Sequence, residues 1–531
     1  MAMEIAEAVM EVFSPSSVTD WLFTLSVVLL SVLCFFLVQK WGNIAVLERA
    51  TTPPSPPKLP IIGNLHQLSK PHHRSLWTLA QKHGSIMFLQ LGSIPTIVIS
   101  SADMAEQVLR TRDNCCCSRP SSPGSKLLSY NFLDLAFAPY SDHWKEMRKL
   151  FSAKLLSPKR AESLWHAREV EVGRLISSIS QASPVPVDVT QKVFHLADGI
   201  LGAFAFGKSY EGKQFRNQKF YDVLVEAMRV LEAFSAEDFF PTGGWIIDAM
   251  SGLRAKRKNC FQNLDGYFQM VINDHLDPTR PKPEQEDLVD VFIRLLEDPK
   301  GPFQFTNDHI KAMLMNTFLG GTDTTAITLE WTMSELMANP RVMNKLQAEV
   351  RSCIGSKPRV ERDDLKNLKY LKMVIKEALR KHTPIPLLIP RETMDYFKIH
   401  DKSSSREYDI CPGTRILVNA WGIGRDPKSW KDPDVFYPER FEDCEIEFYG
   451  KHFELLPFGG GKRICPGANM GVITAEFTLA NLVYCFDWEL PSGMKIEDLG
   501  LEEELGGITA GRKKPLCLVA RRCGCSCTEP M

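Results

Sequence analysis

The stretch Pro457–Gly467 reads PFGGGKRICPG, and it decides how the rest of the chain is interpreted. Its cysteine, Cys465, stands just ahead of a run with apolar residues at helical spacing, which places the thiol at a predicted helix N-terminus. The helix dipole and the adjacent cations of Lys462 and Arg463 are expected to lower the pKa of this thiol and to favour the thiolate. Three consecutive glycines let the backbone fold closely over a flat or bulky group.

Three kinds of site could use such a cysteine. A zinc site requires a second cysteine or a histidine at ligand spacing, and none flanks Cys465. A nucleophilic cysteine requires a positioned histidine, and His452 is the only local candidate. An axial thiolate to haem iron requires one cysteine, donors to its sulfur and a basic residue for the propionates. The stretch supplies all three, so a haem site fits it best.

The residues of this stretch also match a longer pattern. Phe458, Gly461, Arg463, Cys465 and Gly467 follow F-x-x-G-x-R-x-C-x-G, which resembles the haem-binding signature of the cytochromes P450. The resemblance implies a mainly α fold with smaller β-sheets (α+β), a triangular prism with haem between a long central helix and the cysteine-bearing loop. It further implies haem b as the cofactor and Cys465 as the axial ligand of its iron.

A second segment, MNTFLGGTDTTAITLEW, lies within one predicted helix from about residue 306 to 338. Asn316, Gly320 and Thr324 are four residues apart and share one face of this helix. Two glycines in mid-helix cost about 1 kcal/mol each relative to alanine, so a compensating role is expected. That role is either a close helix crossing or a locally opened groove beside Asp323 and Thr324.

The same segment resembles the oxygen-activation motif (A/G)-G-x-(D/E)-T of the P450 family. The resemblance implies that Thr324 and Asp323 are the catalytic alcohol and acid. Together they would relay protons so that the O–O bond breaks heterolytically.

Two further pairs carry the resemblance, although each is a weak signal alone. Glu377 and Arg380 resemble the family's E-x-x-R pair, and with Arg440 they would form a buried network that locks the cysteine-bearing loop. Trp144 and Arg148 are four residues apart and resemble its W-x-x-x-R pair. By the resemblance, Trp144, Arg148, Arg463 and Arg391 would bind the haem propionates.

A rival motif, GAFAFGKS at residues 202–209, fits the phosphate-binding pattern G-x-x-x-x-G-K-[ST] letter for letter. A working phosphate loop follows a strand and opens a helix. Here the residues before it have a helical period, and those after it have no apolar helical stripe. The motif is therefore predicted to be a helix end, with Gly207 at its C′ position and Lys208 beside the negative end of the helix.

The N-terminal region is predicted to be a membrane anchor. Trp21–Val38 has eighteen residues without a charge, preceded by acidic residues and followed by basic ones. We expect a lumenal N-terminus (1–20), a transmembrane helix (21–38), a proline-rich hinge (39–64), a cytosolic catalytic domain (65–520) and a cysteine-rich tail (521–531). The implied location is the endoplasmic reticulum membrane, with a single pass.

Composition narrows the class of protein. Sixty-three basic and sixty-four acidic residues give a formal charge of −1, which gives no electrostatic footprint for nucleic acid. Fourteen cysteines are mostly scattered singly, so reduced thiols are expected rather than a disulfide framework. The adjacent Cys115, Cys116 and Cys117 are interpreted as packed or incidental thiols.

The resemblance, closest in style to the plant A-type P450s, implies a haem-thiolate monooxygenase that inserts one atom of O₂ into a hydrophobic small molecule. Electrons would come from NADPH through NADPH–cytochrome P450 reductase, with cytochrome b5 as a second partner and Lys462 as a docking contact. A monomer is expected. By analogy, the substrate pocket includes Asn316, Gly320, Ile385, Leu388 and Ile508.

Two other functions remain open at this point. One is a P450-fold enzyme that dehydrates or rearranges an oxygenated substrate such as an oxime without net insertion of O₂. The other is a haem-binding protein without catalysis. The retained Asp323 and Thr324 favour monooxygenation over the first, and the complete set of motifs argues against the second.

Overall fold

The structure, a computed structural model, describes residues 26–27, 51–155, 162, 164–207, 214–215, 218–281, 286–297, 303–504 and 507–523. The predicted anchor, Trp21–Val38, lies outside the described residues except for Ser26 and Val27. In the part of the chain that is described, no helix is long and apolar enough to cross a bilayer. The lumenal segment and most of the C-terminal tail also lie outside it.

The described chain is mainly helical with small sheets, as expected. The α-helices are, in order, α1 His72–His83, α2 Ala102–Glu106, α3 Asp113–Cys116, α4 Pro123–Leu128, α5 Asp142–Leu150, α6 Trp165–Ala182, α7 Val189–Phe206, α8 Phe220–Glu232, α9 Gly244–Met250, α10 Leu253–Leu276, α11 Leu288–Glu297, α12 Asn307–Ala338, α13 Pro340–Ile354, α14 Lys369–Lys381, α15 Ala420–Ile423 and α16 Ala468–Cys485.

The strands form small sheets in which most neighbours run antiparallel. They are β1 Ile86–Leu91, β2 Ile94–Ile99, β3 Val187–Asp188, β4 Gln214–Phe215, β5 Gln218–Lys219, β6 Arg391–Glu392, β7 Phe397–Asp401, β8 Arg406–Ile410, β9 Arg415–Val418, β10 Phe486–Glu489 and β11 Cys517–Arg522. The largest described sheet has the order β1-β2-β9-β6, in which β2 and β9 are parallel, and a second has the order β10-β11-β3.

The central helix α12 confirms the helix predicted from residue 306 to 338. It begins after Thr306, whose backbone N–H donates to the His309 ring at 3.2 Å, and it ends ahead of Pro340. Most of its residues are buried, because a helix in the middle of a large domain is covered on most sides.

The two halves of α12 belong to different apolar cores. Its first half packs with α8, α10 and α11, through residues such as Met313 and Phe318. Its second half packs with α6, α13, α14 and α16, through residues such as Leu329 and Met333. Residues 320–325 lie between the two cores, and this stretch of the helix borders the cavity described below.

The end of α7 shows which structure the phosphate-loop pattern at residues 202–209 adopts in its described part. The helix runs to Phe206, Gly207 has a left-handed φ of 69°, and its N–H bonds to the Ala203 carbonyl at 3.1 Å. The prediction of a helix end capped by Gly207 is confirmed. Lys208 and Ser209 lie outside the described residues.

The chain forms two compact units. The larger comprises Pro54–Ile399 and Ile410–Met531 and holds every predicted haem, pocket and catalytic residue. The smaller comprises Met1–Pro53 and His400–Asp409. Within the smaller unit, the Thr51 amide donates to the Asp409 carboxylate at 2.7 Å.

The described part of the proline-rich hinge is fixed to strand β1. The Phe88 amide donates to the Pro54 carbonyl at 2.9 Å, and the Gln90 amide donates to the Asn64 side chain at 2.8 Å. A Cβ at Gly63, whose φ is 61°, would meet the Gln90 carbonyl oxygen at 1.9 Å. Glycine at position 63 therefore allows this segment to lie against the sheet.

Candidate active site

An internal cavity lies where α12, α7, the cysteine-bearing loop and the start of α16 meet. Most of its lining is apolar, and polar groups are concentrated at the loop and at α12. The lining includes Leu135, Phe151, Ile200, Leu201, Phe204, Ile375, Leu379, Ile385, Leu388, Phe458, Cys465, Val472 and Ala475.

Cys465 presents its sulfur to this cavity. Its backbone N–H donates to the Phe458 carbonyl at 3.0 Å, which closes the loop, and α16 begins three residues later, after the N-cap Gly467. The backbone N–H groups of Gly467 and Ala468 hydrogen-bond the sulfur. The predicted position at a helix N-terminus is confirmed.

The predicted lowering of the Cys465 pKa is wrong for the thiol in this cavity. Burial raises its pKa, and the two amide donors and the charge of Arg148 oppose that rise without reversing it. The expectation relied on Lys462 and Arg463, but the Lys462 ammonium donates to the Tyr140 hydroxyl at 3.0 Å. The Arg463 guanidinium donates to the carbonyls of Cys117, Leu135 and Ala138. A metal ion bound at the sulfur would still deprotonate it.

Gly461 explains why the loop motif requires glycine at that position. Its φ is 65°, and a Cβ would lie 2.2 Å from the Leu109 carbonyl oxygen and 2.8 Å from the Asp113 side chain. The Asp113 carboxylate accepts the Lys462 amide at 2.8 Å and the Arg391 guanidinium at 2.5 Å. The segment from Leu109 to Asp113 thus supports the cysteine-bearing loop from behind.

Guanidinium groups collect along the cavity wall. Arg148 donates to the Ile464 carbonyl, Arg391 donates to the Gly460 carbonyl at 2.7 Å, and both line the cavity together with Arg463. Burial lowers the pKa of Arg148 and lowers that of Arg463 to about 10. So much buried positive charge favours a ligand that brings negative charge.

Arg119 belongs to this group and was missed in the sequence. It lines the cavity and donates to the Ala136 carbonyl at 2.9 Å and to the Pro390 carbonyl at 2.8 Å. Burial lowers its pKa well below the usual range for arginine. No periodic pattern marks it, since its role depends on residues about 270 positions away.

Trp144 lies beside the cavity and is not among the described residues that line it. Its ring N–H donates to the Leu135 carbonyl at 3.0 Å, and the Arg463 guanidinium lies 3.9 Å from its ring centroid. Arg463 in turn donates to the carbonyls of Cys117, Leu135 and Ala138. The propionate role predicted for Trp144 stays a prediction.

The residues Glu377, Arg380 and Arg440 meet as predicted. Arg380 donates from Nε and Nη2 to both carboxylate oxygens of Glu377, each at 2.8 Å, and Arg440 adds a bond at 3.0 Å. Glu377 and Arg380 are fully buried. Arg380 also donates to the Gly424 carbonyl, so the network joins α14 to the segments that follow it.

The predicted catalytic pair is divided between two environments. Thr324 lines the cavity, and its hydroxyl donates to the Gly320 carbonyl at 2.7 Å. Asp323 is not among the described lining residues. Burial, with the nearby carboxylates of Glu232 and Glu504, raises the pKa of Asp323 to about 7.

The two mid-helix glycines fit the two predicted roles separately, one a close helix crossing and the other an opened groove. A Cβ at Gly321 would meet Leu201 of α7 at 2.8 Å, which marks a close helix crossing. A Cβ at Gly320 would have nothing within 4 Å, because this residue borders the cavity.

Most of the predicted pocket residues line the cavity, namely Asn316, Gly320, Ile385 and Leu388. Ile508 does not appear in the described lining, and its amide donates to Glu232 at 2.9 Å. The cysteines among the described residues are free, and the buried Cys116 thiol donates to the carbonyls of Val108 and Arg112. Burial raises the pKa of Cys116 to about 12, as suits a packed thiol.

The residues present fit a haem group. The donor set combines one thiol with backbone donors to its sulfur, an apolar wall and a group of guanidiniums. These match, in turn, the metal, the macrocycle and the carboxylates of iron protoporphyrin. Cys465 would hold the iron, and Arg119, Arg148, Arg391 and Arg463 would face its carboxylates.

The comparisons with known proteins agree with this chemistry. The cytochrome P450 family model matches residues 53–515. The chain is 46% identical over 504 residues to a 2-methylbutanal oxime monooxygenase of Manihot esculenta, covering 95% of this chain and 97% of the relative. It is 49% identical over 473 residues to a 4-hydroxyphenylacetaldehyde oxime monooxygenase of Sorghum bicolor, covering 88% of each. It is also 46% identical over 474 residues to cytochrome P450 71B37 of Arabidopsis thaliana, covering 88% of this chain and 93% of the relative. The chain belongs to the cytochrome P450 family, as a monooxygenase that uses haem b.

Proposed function

We propose that this P450 is a monooxygenase of aldehyde oximes, small compounds with a C=N–OH group on an aliphatic or aromatic chain. The observation that carries the proposal is the similarity to two oxime monooxygenases over 95% and 88% of the chain. The substrate classes named for those relatives differ from each other, so the proposal extends to the oxime group and leaves the side chain open.

The cavity suits such a substrate. Its wall is mainly apolar, and the haem carboxylates would neutralise its guanidiniums, so a neutral compound suits the remaining space. The Thr324 hydroxyl donates to Gly320 and keeps its lone pairs as acceptors. The O–H group of an oxime can donate a hydrogen bond to this Thr324 oxygen.

Haem b, when bound at Cys465, supplies the iron centre at which O₂ is activated. The protein contributes a dry apolar wall that holds the substrate and the Thr324 hydroxyl that faces it. The Asp323 carboxyl, with a pKa of about 7, can exchange a proton near neutral pH. These are the groups by which the chain would deliver protons to the site.

The test uses the full chain in microsomes with NADPH–cytochrome P450 reductase. Aliphatic and aromatic aldoximes are compared with their O-methyl ethers, which lack the oxime proton, and Cys465→Ser serves as the inactive control. We expect NADPH and O₂ to be consumed only with the free oximes. When the O₂ is isotopically labelled, one labelled oxygen atom should appear in the product or in a compound formed by breakdown of that product. Dehydration without O₂ consumption would instead establish the rearranging activity, and no turnover of any oxime would contradict the proposed substrate class.

We further propose that Trp21–Val38 anchors the protein in the endoplasmic reticulum membrane with a lumenal N-terminus. The acidic residues before it and the basic residues after it support this orientation. We also expect a monomer that accepts electrons at the surface around the exposed Lys462, with cytochrome b5 as a second electron donor. A glycosylation tag at the N-terminus should acquire glycans, because a lumenal N-terminus is accessible to glycosylation. A tag that stays unglycosylated would contradict the proposed topology.

A further inference from the structure

The loop 134–138 is held by one side chain of the central helix. The Asn316 carbonyl oxygen accepts the amides of Leu135 at 2.8 Å and Ala136 at 3.0 Å. The Asn316 Nδ2 donates to Asp134 Oδ2 at 2.9 Å. The same oxygen of Asp134 accepts the Phe137 amide at 3.0 Å, and Asp134 is fully buried.

The opposite side of this loop faces the basic groups of the haem site. The Leu135 carbonyl accepts the Trp144 ring N–H at 3.0 Å and the Arg463 guanidinium at 3.2 Å. The Ala136 carbonyl accepts Arg119 at 2.9 Å, and the Ala138 carbonyl accepts Arg463 at 2.7 Å. Amides directed at the central helix and carbonyls directed at the guanidiniums thus belong to one short loop.

The residues just before the loop are conformationally strained. Tyr130, Asn131 and Phe132 have φ values of 52°, 62° and 67°, in the left-handed region that larger side chains disfavour. Such a run persists only where surrounding contacts determine it. Local bonds hold this run, among them the Phe132 amide to the Ser129 hydroxyl at 3.0 Å and the Asn131 amide to the Lys126 carbonyl at 2.8 Å.

We propose that Asp134 and Asn316 are a positioning pair. Together they fix loop 134–138 against the central helix, and through its carbonyls they set the positions of Arg119 and Arg463 around the haem. The proposal does not depend on which substrate the enzyme uses.

The hydrogen bonds of Asn316 separate this role from substrate binding. Its oxygen already accepts two amides and its nitrogen already donates to Asp134, which leaves one N–H of the side chain. Asn316 was predicted as a pocket residue, and it does border the cavity. Its polar atoms are nevertheless used mainly by the loop.

The test exchanges the amide and the carboxyl group of the pair in the full-length holoenzyme. Asn316→Asp replaces the Nδ2 that donates to Asp134 by a second carboxyl oxygen, so the amide donor between the two side chains is lost and the loop shifts. Asp134→Asn keeps an acceptor for the loop amides, and combined with Asn316→Asp it restores one amide opposite one carboxyl group. We expect N316D to accelerate haem loss to apomyoglobin by about tenfold, and D134N/N316D to return within about threefold of the wild type.

Two further readouts distinguish positioning from general destabilisation. N316D should lower the thiolate fraction of the reduced CO spectrum at temperatures well below unfolding, and the double variant should restore it. The control is Asp248→Asn, at a buried carboxylate that accepts the Ser235 hydroxyl at 2.5 Å and the Ala236 amide at 2.8 Å. We expect D248N to lower the unfolding temperature while haem loss stays near the wild-type rate.

Each outcome decides the proposal. Rescue by the double variant supports it, also where N316D alone yields no folded protein. Haem loss in N316D at the wild-type rate, no rescue in the double variant, or equal acceleration by D248N would overturn it. Failure of both N316D and the double variant to fold would also overturn it.

Discussion

Gly461, the first glycine of the F-x-x-G-x-R-x-C-x-G motif, occupies a position that has no room for a side chain. Replacing it by alanine combines a strained φ of 65° with a Cβ at 2.2 Å from the Leu109 carbonyl oxygen. The strain alone costs about 1 kcal/mol, and overpacking adds about 1–3 kcal/mol. We therefore expect Gly461→Ala to lose about 2–4 kcal/mol of unfolding free energy and most of its haem, measured by thermal unfolding and the pyridine haemochrome assay.

Gly493 offers the matched control for that substitution. Its φ is 82°, and a Cβ there would have nothing within 4 Å. Gly493→Ala therefore carries the strain without the clash, and it should cost about 1 kcal/mol and leave haem content unchanged. Equal losses in the two variants would show that the Leu109 contact is not what position 461 requires.

The Asp323 carboxyl should give the fold a specific pH dependence. Its pKa is about 7 in the folded state and about 3.9 in an unfolded chain, so the folded state binds the proton more tightly. The stabilisation from this proton is fully present below pH ~4 and is lost as the pH rises through about 7. Asp323→Asn has no such proton, so its stability should fall less between pH 5 and pH 8.

The expected difference is about 2 kcal/mol, measured by denaturation of both proteins at the two pH values. The carboxyls of Glu330 and Glu476, whose pKa values are also raised to about 7, remain in both proteins and cancel in the comparison. Parallel pH profiles for the wild type and D323N would mean that Asp323 is ionised at neutral pH.

At the scale of elements, the central helix carries two adjacent glycines with different constraints. A Cβ at Gly321 would meet the Leu201 side chain of α7, whereas Gly320 borders open space in the cavity. Alanine at 321 would force the end of the Leu201 side chain to move and should cost about 1 kcal/mol, the low end of overpacking. Alanine at 320 should gain about 1 kcal/mol of helix propensity but reduce ligand space.

The two substitutions are therefore each other's control. Thermal unfolding should show a lower unfolding temperature for G321A and a higher one for G320A. Titration with an azole ligand should show weaker binding only in G320A, whose added methyl group narrows the cavity. If both variants lose stability equally, the close crossing with α7 extends to both glycines, and the groove interpretation of Gly320 fails.

The elements also show what local sequence can predict. The end of α7 at Phe206 and the bounds of α12 were predictable because periodicity, glycine and proline act within a few residues. A phosphate-loop pattern failed at α7 for the same reason, since the local helix period contradicted it. The Glu377–Arg380 pair was equally visible, as its residues are one helical turn apart.

At the scale of the whole molecule, the unpredicted features all depend on distant contacts. The role of Arg119 depends on carbonyls at Ile389 and Pro390, and the loop at Asp134 depends on Asn316. The pKa of Cys465 was predicted in the wrong direction because adjacent cations are visible in sequence, whereas burial by remote elements is not.

Removal of residues 1–50 tests how function is divided along the chain. The larger compact unit begins at Pro54 and includes every residue of the haem site, while Thr51, which bonds Asp409, is retained. We expect the truncated protein to keep its reduced CO spectrum and its unfolding temperature. By the proposed topology, its membrane association should weaken strongly, because the eighteen uncharged residues of Trp21–Val38 are removed.

Carbonate extraction and sedimentation of microsomes measure that association, and substitution of Val27 by alanine provides a mild control within the proposed anchor. Retention of the truncated protein in carbonate-washed membranes would show that another surface binds lipid. Loss of the thiolate spectrum would instead show that the N-terminal segment supports the haem site. A soluble, spectrally intact protein would establish that anchoring and haem binding are separate properties of the chain.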